Sequence, residues 1–209
     1  MKISYKTIKA PASGSLIERK SEFIGYVAPV RTEEQAIQFV NEIRKKHSDA
    51  RHNVYAYILR ENNTVRFSDD GEPHGTAGMP VLDVLRKEEL TDIAAVVTRY
   101  FGGILLGTGG LVRAYTAAVK AALDNAEIVV FDRFAVFSAM VSYSDYPKVD
   151  YFLQSRTVIK DNIDYGNDVR MLLAVPDEQF EGVAKSIADI TNGRAVIERV
   201  GERYDYIEQ

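Results

Sequence analysis

Apolar residues dominate two early stretches, residues 4–9 and 21–30, where β-branched and aromatic side chains predict strands. The period then changes. Thr32-Glu33-Glu34-Gln35 is a capping box, and Ala36, Ile37, Val40 and Ile43 follow at helical spacing to about His47. Residues 53–60 and 64–67 predict a strand pair joined by the turn Glu61-Asn62-Asn63. Residues 68–78 are too rich in turn formers for regular structure, and Pro80 opens a helix through Val81, Leu82, Val84 and Leu85. The unbroken apolar run at 93–98 predicts a strand covered on both faces. Gly102, Gly103, Gly107, Gly109 and Gly110 then predict a flexible turn. A long helix follows to about Ala126, its buried side carrying Leu111, Val112, Tyr115, Ala118, Val119, Ala122 and Leu123.

Beyond residue 130 the order is strand, helix, strand, strand, helix, strand. Residues 134–143 read as a strand and Pro147 begins a short helix with Val149, Phe152 and Leu153 on one face. Residues 157–165 and 169–175 flank the hairpin turn Gly166-Asn167. Asp177 is placed to cap a helix bearing Phe180, Val183, Ala184, Ile187 and Ile190, which Asn192-Gly193 ends before a last strand at 195–206. A βαββαβ succession is the ferredoxin-like arrangement. The chain thus reads as α+β with two domains, residues 1–130 and 131–209.

Composition narrows the chemistry. Hydrophobic residues make up 46% and charged residues 27% of 209 residues, an ordinary globular balance. With no cysteine, disulfides, thiolate metal sites and a cysteine nucleophile are excluded, and a reducing, cytoplasmic setting is expected. Neither a signal peptide nor a run long enough to cross a bilayer is expected. Residues 1–130 carry 17 Lys+Arg against 16 Asp+Glu, a net of +1, and residues 131–209 carry 9 against 14, a net of −5. Binding to a phosphate backbone needs clustered positive charge, so it belongs to the first half.

The run from Thr98 to Arg113 is the strongest candidate for chemistry. Glycines let backbone N–H groups crowd inward, and the following helix start adds partial positive charge. Arg99, Gly102, Gly103, Gly107, Thr108, Gly109, Gly110 and Arg113 are the expected anion- or nucleic-acid-binding residues, with Arg99 and Arg113 closing on a phosphate from two sides. The bland alternative is that these glycines only permit tight turns and close packing. Neither a Walker A loop nor a dinucleotide fingerprint is present. In the turn at 69–74, Asp69, Asp70 and Glu72 are expected to cap loop and helix amides; a divalent ion held by the same three carboxylates is the alternative. His47 is expected to end its helix as a favourable cation. His52, with Asp69 and Glu72, completes the set of candidate catalytic groups, and no motif calls for a cofactor.

These runs, Ser68-Asp69-Asp70-Gly71-Glu72-Pro73, Gly75-Thr76-Ala77-Gly78 with Pro80, Arg99-Tyr100-Phe101-Gly102-Gly103 and Leu106-Gly107-Thr108-Gly109-Gly110-Leu111, resemble the bacterial YigZ branch of the IMPACT family. The resemblance extends over essentially the whole chain. It implies a first domain similar to the second domain of a ribosomal small-subunit protein, a fold shared with GHMP kinases and domain IV of elongation factor G. It implies a second domain similar to the ferredoxin-like C-terminal domain of that factor. His52, Asp69, Asp70, Glu72, Arg99 and Arg113 fit the family pattern, whereas His74 and Val54 stand where the family has a small residue and often a cysteine. Eukaryotic members are linked to control of translation initiation through an additional RWD domain that this chain lacks. The expectation is therefore a non-enzymatic, translation-associated protein whose first domain meets RNA or the ribosome and whose acidic second domain serves as a spacer or a protein-docking face. The rival is a small-molecule enzyme acting on a phosphorylated substrate at the same cleft.

Overall fold

A computed structural model describes residues 4–206, which divide into two units, residues 5–130 and residues 131–206 together with residue 4. The first unit contains β1 (Tyr5–Ile8), β2 (Ala12–Glu18), β3 (Ser21–Pro29), α1 (Glu33–Lys46), β4 (His52–Ile58), β5 (Val65–Ser68), α2 (Gly78–Lys87), β6 (Ile93–Tyr100) and α3 (Gly107–Asp124). Five strands form an antiparallel sheet in the order β2-β3-β6-β4-β5. Helices cover it on both sides, which is why the central strand β6 is buried from Ile93 to Arg99. Ile93, Ala95 and Val97 pack with α2 and α3, while Ala94 and Val96 face α1. By the same alternation Arg99 falls on the α2/α3 face.

The expected cap of α1 forms, with Thr32 Oγ1 accepting from Gln35 N at 3.3 Å, but the return bond reaches one residue further back, Gln35 Oε1 accepting from Arg31 N at 2.7 Å. Strand β2 is the element that sequence periodicity misses. Its sequence, Ala-Ser-Gly-Ser-Leu-Ile-Glu, has almost no β-branched character, because α3 lies directly on it. A Cβ at Gly14 would sit 2.3 Å from the Ala121 carbonyl oxygen, and one at Gly25 in β3 would sit 2.2 Å from that of Ala118. Small residues here are the condition for helix-to-sheet contact. Two boundaries also move. Helix α2 starts two residues before Pro80, and α3 starts at Gly107, so Gly107, Gly109 and Gly110 form its first turn instead of preceding it as a flexible loop. Val112, expected on the buried side, is 37% exposed.

The second unit contains β7 (Ile128–Val141, beginning in the first), α4 (Tyr146–Gln154), β8 (Ile159–Tyr165), β9 (Val169–Pro176), α5 (Phe180–Ile190) and β10 (Val196–Asp205). Strands β10-β7-β9-β8 are antiparallel, the ferredoxin-like arrangement expected from the succession of elements, and β1 joins the same sheet as a fifth strand by pairing with β7. Phe137, Ala139, Met171 and Leu173 pack with Val149, Leu153, Val183 and Ile187 of the two helices. Asp177 does not cap α5. Its carboxylate instead receives Arg133 and Arg199, and a short 3-10 turn precedes the helix. No helix among the described residues is long and apolar enough to cross a membrane.

Candidate functional site

The carboxyl end of β6, the amino end of β4, the turn between β2 and β3, the loop at 69–77 and the start of α3 converge at one pole of the first unit. Pairing of His52 and Phe23 with Arg99 lays these three residues in a row across the sheet.

The acidic turn is held by its own carboxylates. Asp69 accepts from the amides of Gly75, Ala77 and Gly78 at 2.9, 3.1 and 2.8 Å, which closes the loop and caps the start of α2. Burial opposes its ionisation, but those amides outweigh burial and hold the carboxyl below its ordinary value. Asp70 divides its oxygens between Arg44 Nη2 and the Asn53 amide, both at 2.7 Å. Its carbonyl accepts from His52 Nδ1 at 2.8 Å, so that nitrogen carries a proton. Glu72 turns inward, its Oε1 accepting from Arg99 Nη1 at 2.6 Å and from the Tyr115 hydroxyl at 2.8 Å. Burial, then the neighbouring Glu72 charge, push the Tyr115 hydroxyl far above its usual range. His74 lies 3.7 Å from Asp69 with its side chain 99% exposed. The three carboxylates thus point to three sets of N–H and O–H donors, and no metal-ligating cluster occurs among the described residues.

Arg99 departs from the expected placement. It is 6% exposed and ion-paired with Glu72, and its guanidinium carbon lies 5.4 Å from the centroids of both Phe23 and Phe101. Its Nε has no acceptor. The sequence sets Arg99 and Arg113 on either side of one turn; the fold commits the first to a buried carboxylate and leaves the second exposed at the start of α3.

That helix start is open. Leu106 at the N-cap offers no side-chain acceptor, and Gly107, Thr108 and Gly109 are exposed, so the first-turn amides face solvent at the positive end of an 18-residue helix. Arg113 Nη1 would lie 3.7 Å from a Cβ at Gly109, beside that turn. Two further cations that sequence reasoning passes over, Arg19 and Lys20, come from the β2–β3 turn. Gly102 packs against that turn so closely that a Cβ would meet the Lys20 carbonyl at 2.0 Å, and its amide donates to Ser21 Oγ at 3.1 Å. Arg19 Nη1 donates to the Leu105 carbonyl at 3.4 Å. Gly103, Phe101, Ile104 and Leu105 complete an exposed, partly apolar rim. The signal for Arg19 and Lys20 was the β2–β3 pairing itself, legible only once β2 is recognised.

A concavity of about 520 Å³ lined by Glu34, Ile37, Asn41 and Lys45 belongs to α1, on the opposite face of the sheet. His47 is placed there too and ends α1 as expected, but not as a cation. Its Nδ1 and Nε2 meet the hydroxyls of Tyr100 and Tyr26 at 2.9 and 2.8 Å, and burial, then Lys46, lower its pKa. Because Tyr100 donates to Asp49, it must accept from Nδ1–H, which leaves Nε2 to accept from Tyr26.

Fold and site define a two-unit α+β protein with a ferredoxin-like second unit and an open, cation-flanked helix end in the first. Sequence comparison gives this class a family. Residues 19–123 match the Impact N-terminal domain and residues 141–194 match a domain of unknown function, DUF1949. IMPACT family member YvyE of Bacillus subtilis (strain 168) is 36% identical over 195 residues, covering 93% of this chain and 90% of that protein. IMPACT family member YigZ of Escherichia coli (strain K12) is 35% identical over 178 residues, covering 84% and 87%. The IMPACT homolog of Dictyostelium discoideum matches 98 residues at 40% identity, which is 44% of this chain and 28% of that one. A crystal structure described as that of a hypothetical protein aligns over 96% of this chain and 98% of its own, with a TM-score of 0.61 and 33% identity. The chain belongs to the IMPACT family.

Proposed function

We propose that this protein is a non-enzymatic, translation-associated binding protein that holds RNA phosphate at the start of α3, in the cytoplasm. The observation that carries this reading is the uncapped, exposed first turn of α3 with Arg113 beside it, preceded by a loop against which the β2–β3 turn bearing Arg19 and Lys20 packs. First-turn amides and the helix dipole favour an anion, and the cationic residues of these adjoining segments, Arg113, Arg19 and Lys20, extend that preference along a polyanion. Lys20 and Arg113 have no acidic partner among the described residues, so their charge is available to a ligand. Arg99 contributes indirectly, by joining the acidic loop, β6 and α3 through Glu72 and Tyr115. The second unit, with its net charge of −5 over residues 131–209, repels a phosphate backbone and suits a protein partner.

RNA affinity measured by fluorescence anisotropy across a salt series tests the reading. Affinity is expected to fall steeply with salt, and Arg113→Ala to weaken binding several-fold and reduce the salt slope by about 0.7, the share of one phosphate contact on a single strand. No affinity at low salt, or an unchanged slope in Arg113→Ala and Lys20→Ala alike, would overturn it.

A second reading, an enzyme acting on a small phosphorylated substrate, draws on His52. With Nδ1 bound to the Asp70 carbonyl, its Nε2 lies 4.0 Å from Glu72 in a partly open position. A thermal-shift panel of phosphorylated metabolites with and without magnesium separates the two readings. Saturable stabilisation by one compound favours the enzyme, and none across the panel favours macromolecular binding.

A further inference from the structure

We infer that Phe101 is a stacking platform for an unpaired nucleobase, so that the RNA held at the start of α3 is single-stranded. This inference rests on the phosphate-binding reading above and adds to it the kind of RNA recognised. Phe101 is 45% exposed, yet it is not a loosely held loop residue. The next residue, Gly102, is wedged against the Lys20 carbonyl and bonded to Ser21 Oγ, which fixes the backbone that carries the ring. Beneath the ring lies the guanidinium of Arg99, 5.4 Å from its centroid and itself immobilised by Glu72. An aromatic side chain presented so rigidly loses little conformational freedom when something flat settles on it.

The surroundings select what settles there. Residues 100–123 contain no Asp or Glu, the turn that bears Arg19 and Lys20 meets the ring's loop, and Arg113 stands beside the helix turn that follows it. Ile104, 41% exposed, and Leu105, 81% exposed, continue the apolar surface towards the open helix end. A ligand that uses both features must be polyanionic and must offer apolar, planar faces. Single-stranded nucleic acid does so, because its bases can turn out of the chain while its phosphates meet cations and amides. A continuous duplex hides its base faces in its own stack, and a bare phosphate chain has none.

The chain contains no tryptophan, so Phe101→Trp introduces a sole indole at this position. Short oligoadenylate and oligouridylate, a duplex of matched length and inorganic polyphosphate are titrated against it. Single strands are expected to quench the indole, and duplex and polyphosphate are not. Phe101→Leu, which keeps apolar volume and removes the ring, should weaken single-strand binding roughly tenfold, the scale of one base–aromatic stack, and leave polyphosphate binding unchanged. Salt-dependent RNA binding with an unquenched indole and no loss in Phe101→Leu would overturn the stacking inference and leave the phosphate reading standing. Equal quenching by duplex would overturn the single-strand assignment. Absence of any RNA binding by the unaltered chain would overturn both.

Discussion

At the scale of single residues, the first unit's histidines and arginines owe their roles to partners far away in sequence. Nothing around Arg99 announces that Glu72 will neutralise it, because that pairing is made by folding the 69–77 loop over the end of β6. Removing one member of a buried ion pair leaves the other unsatisfied, so Arg99→Met should cost about 3–5 kcal/mol, and adding Glu72→Met should recover much of that loss. Urea unfolding of the three proteins checks this, and an isolated Arg99→Met with native stability would contradict it. His47 carries a second prediction. Burial holds its folded-state pKa below the ordinary value of about 6.5, so near and below that pH the unfolded chain binds more protons than the folded one. Stability linked to His47 is therefore complete above about pH 6.5 and lost as pH falls beneath it. His47→Gln should flatten the fall in urea midpoint between about pH 7 and pH 5 relative to the unaltered protein. An identical pH profile in both proteins would count against a buried, neutral imidazole.

At the scale of elements, legibility followed the strength of local pattern. α1 was readable because its capping box and apolar spacing agree, and β6 because an unbroken apolar run demands cover on both faces. β2 was not, since its residues are chosen for the closeness of α3 and not for strand propensity. The same cause hid part of the site: without β2 there is no hairpin turn to bring Arg19 and Lys20 to Gly102. The start of α3 was misplaced because three glycines resemble a loop while their amides form a helix's first turn. Gly25→Ala tests the packing argument directly. The added Cβ would press on the Ala118 carbonyl, and overpacking of this kind costs about 1–3 kcal/mol, whereas Gly201→Ala in β10 meets no neighbour and should be close to neutral. Equal stability changes at the two positions would contradict close helix-to-sheet contact as the reason for the glycine.

At the scale of the molecule, the two units divide charge as well as fold. The βαββαβ order of the second was legible from alternation, Pro147, Gly166-Asn167 and Asn192-Gly193, each a local signal. The site proposed in the first is not local. It depends on five separate segments meeting at one pole and leaving the amides of Gly107, Thr108 and Gly109 turned to solvent. Backbone amide NMR shifts measured while single-stranded RNA is titrated into the full chain test that claim most directly. The amides of Gly107, Thr108 and Gly109 and the Arg113 side chain are expected to move together and saturably, and added salt to reverse the change. Shifts confined to other surfaces, with those three amides unmoved, would contradict it.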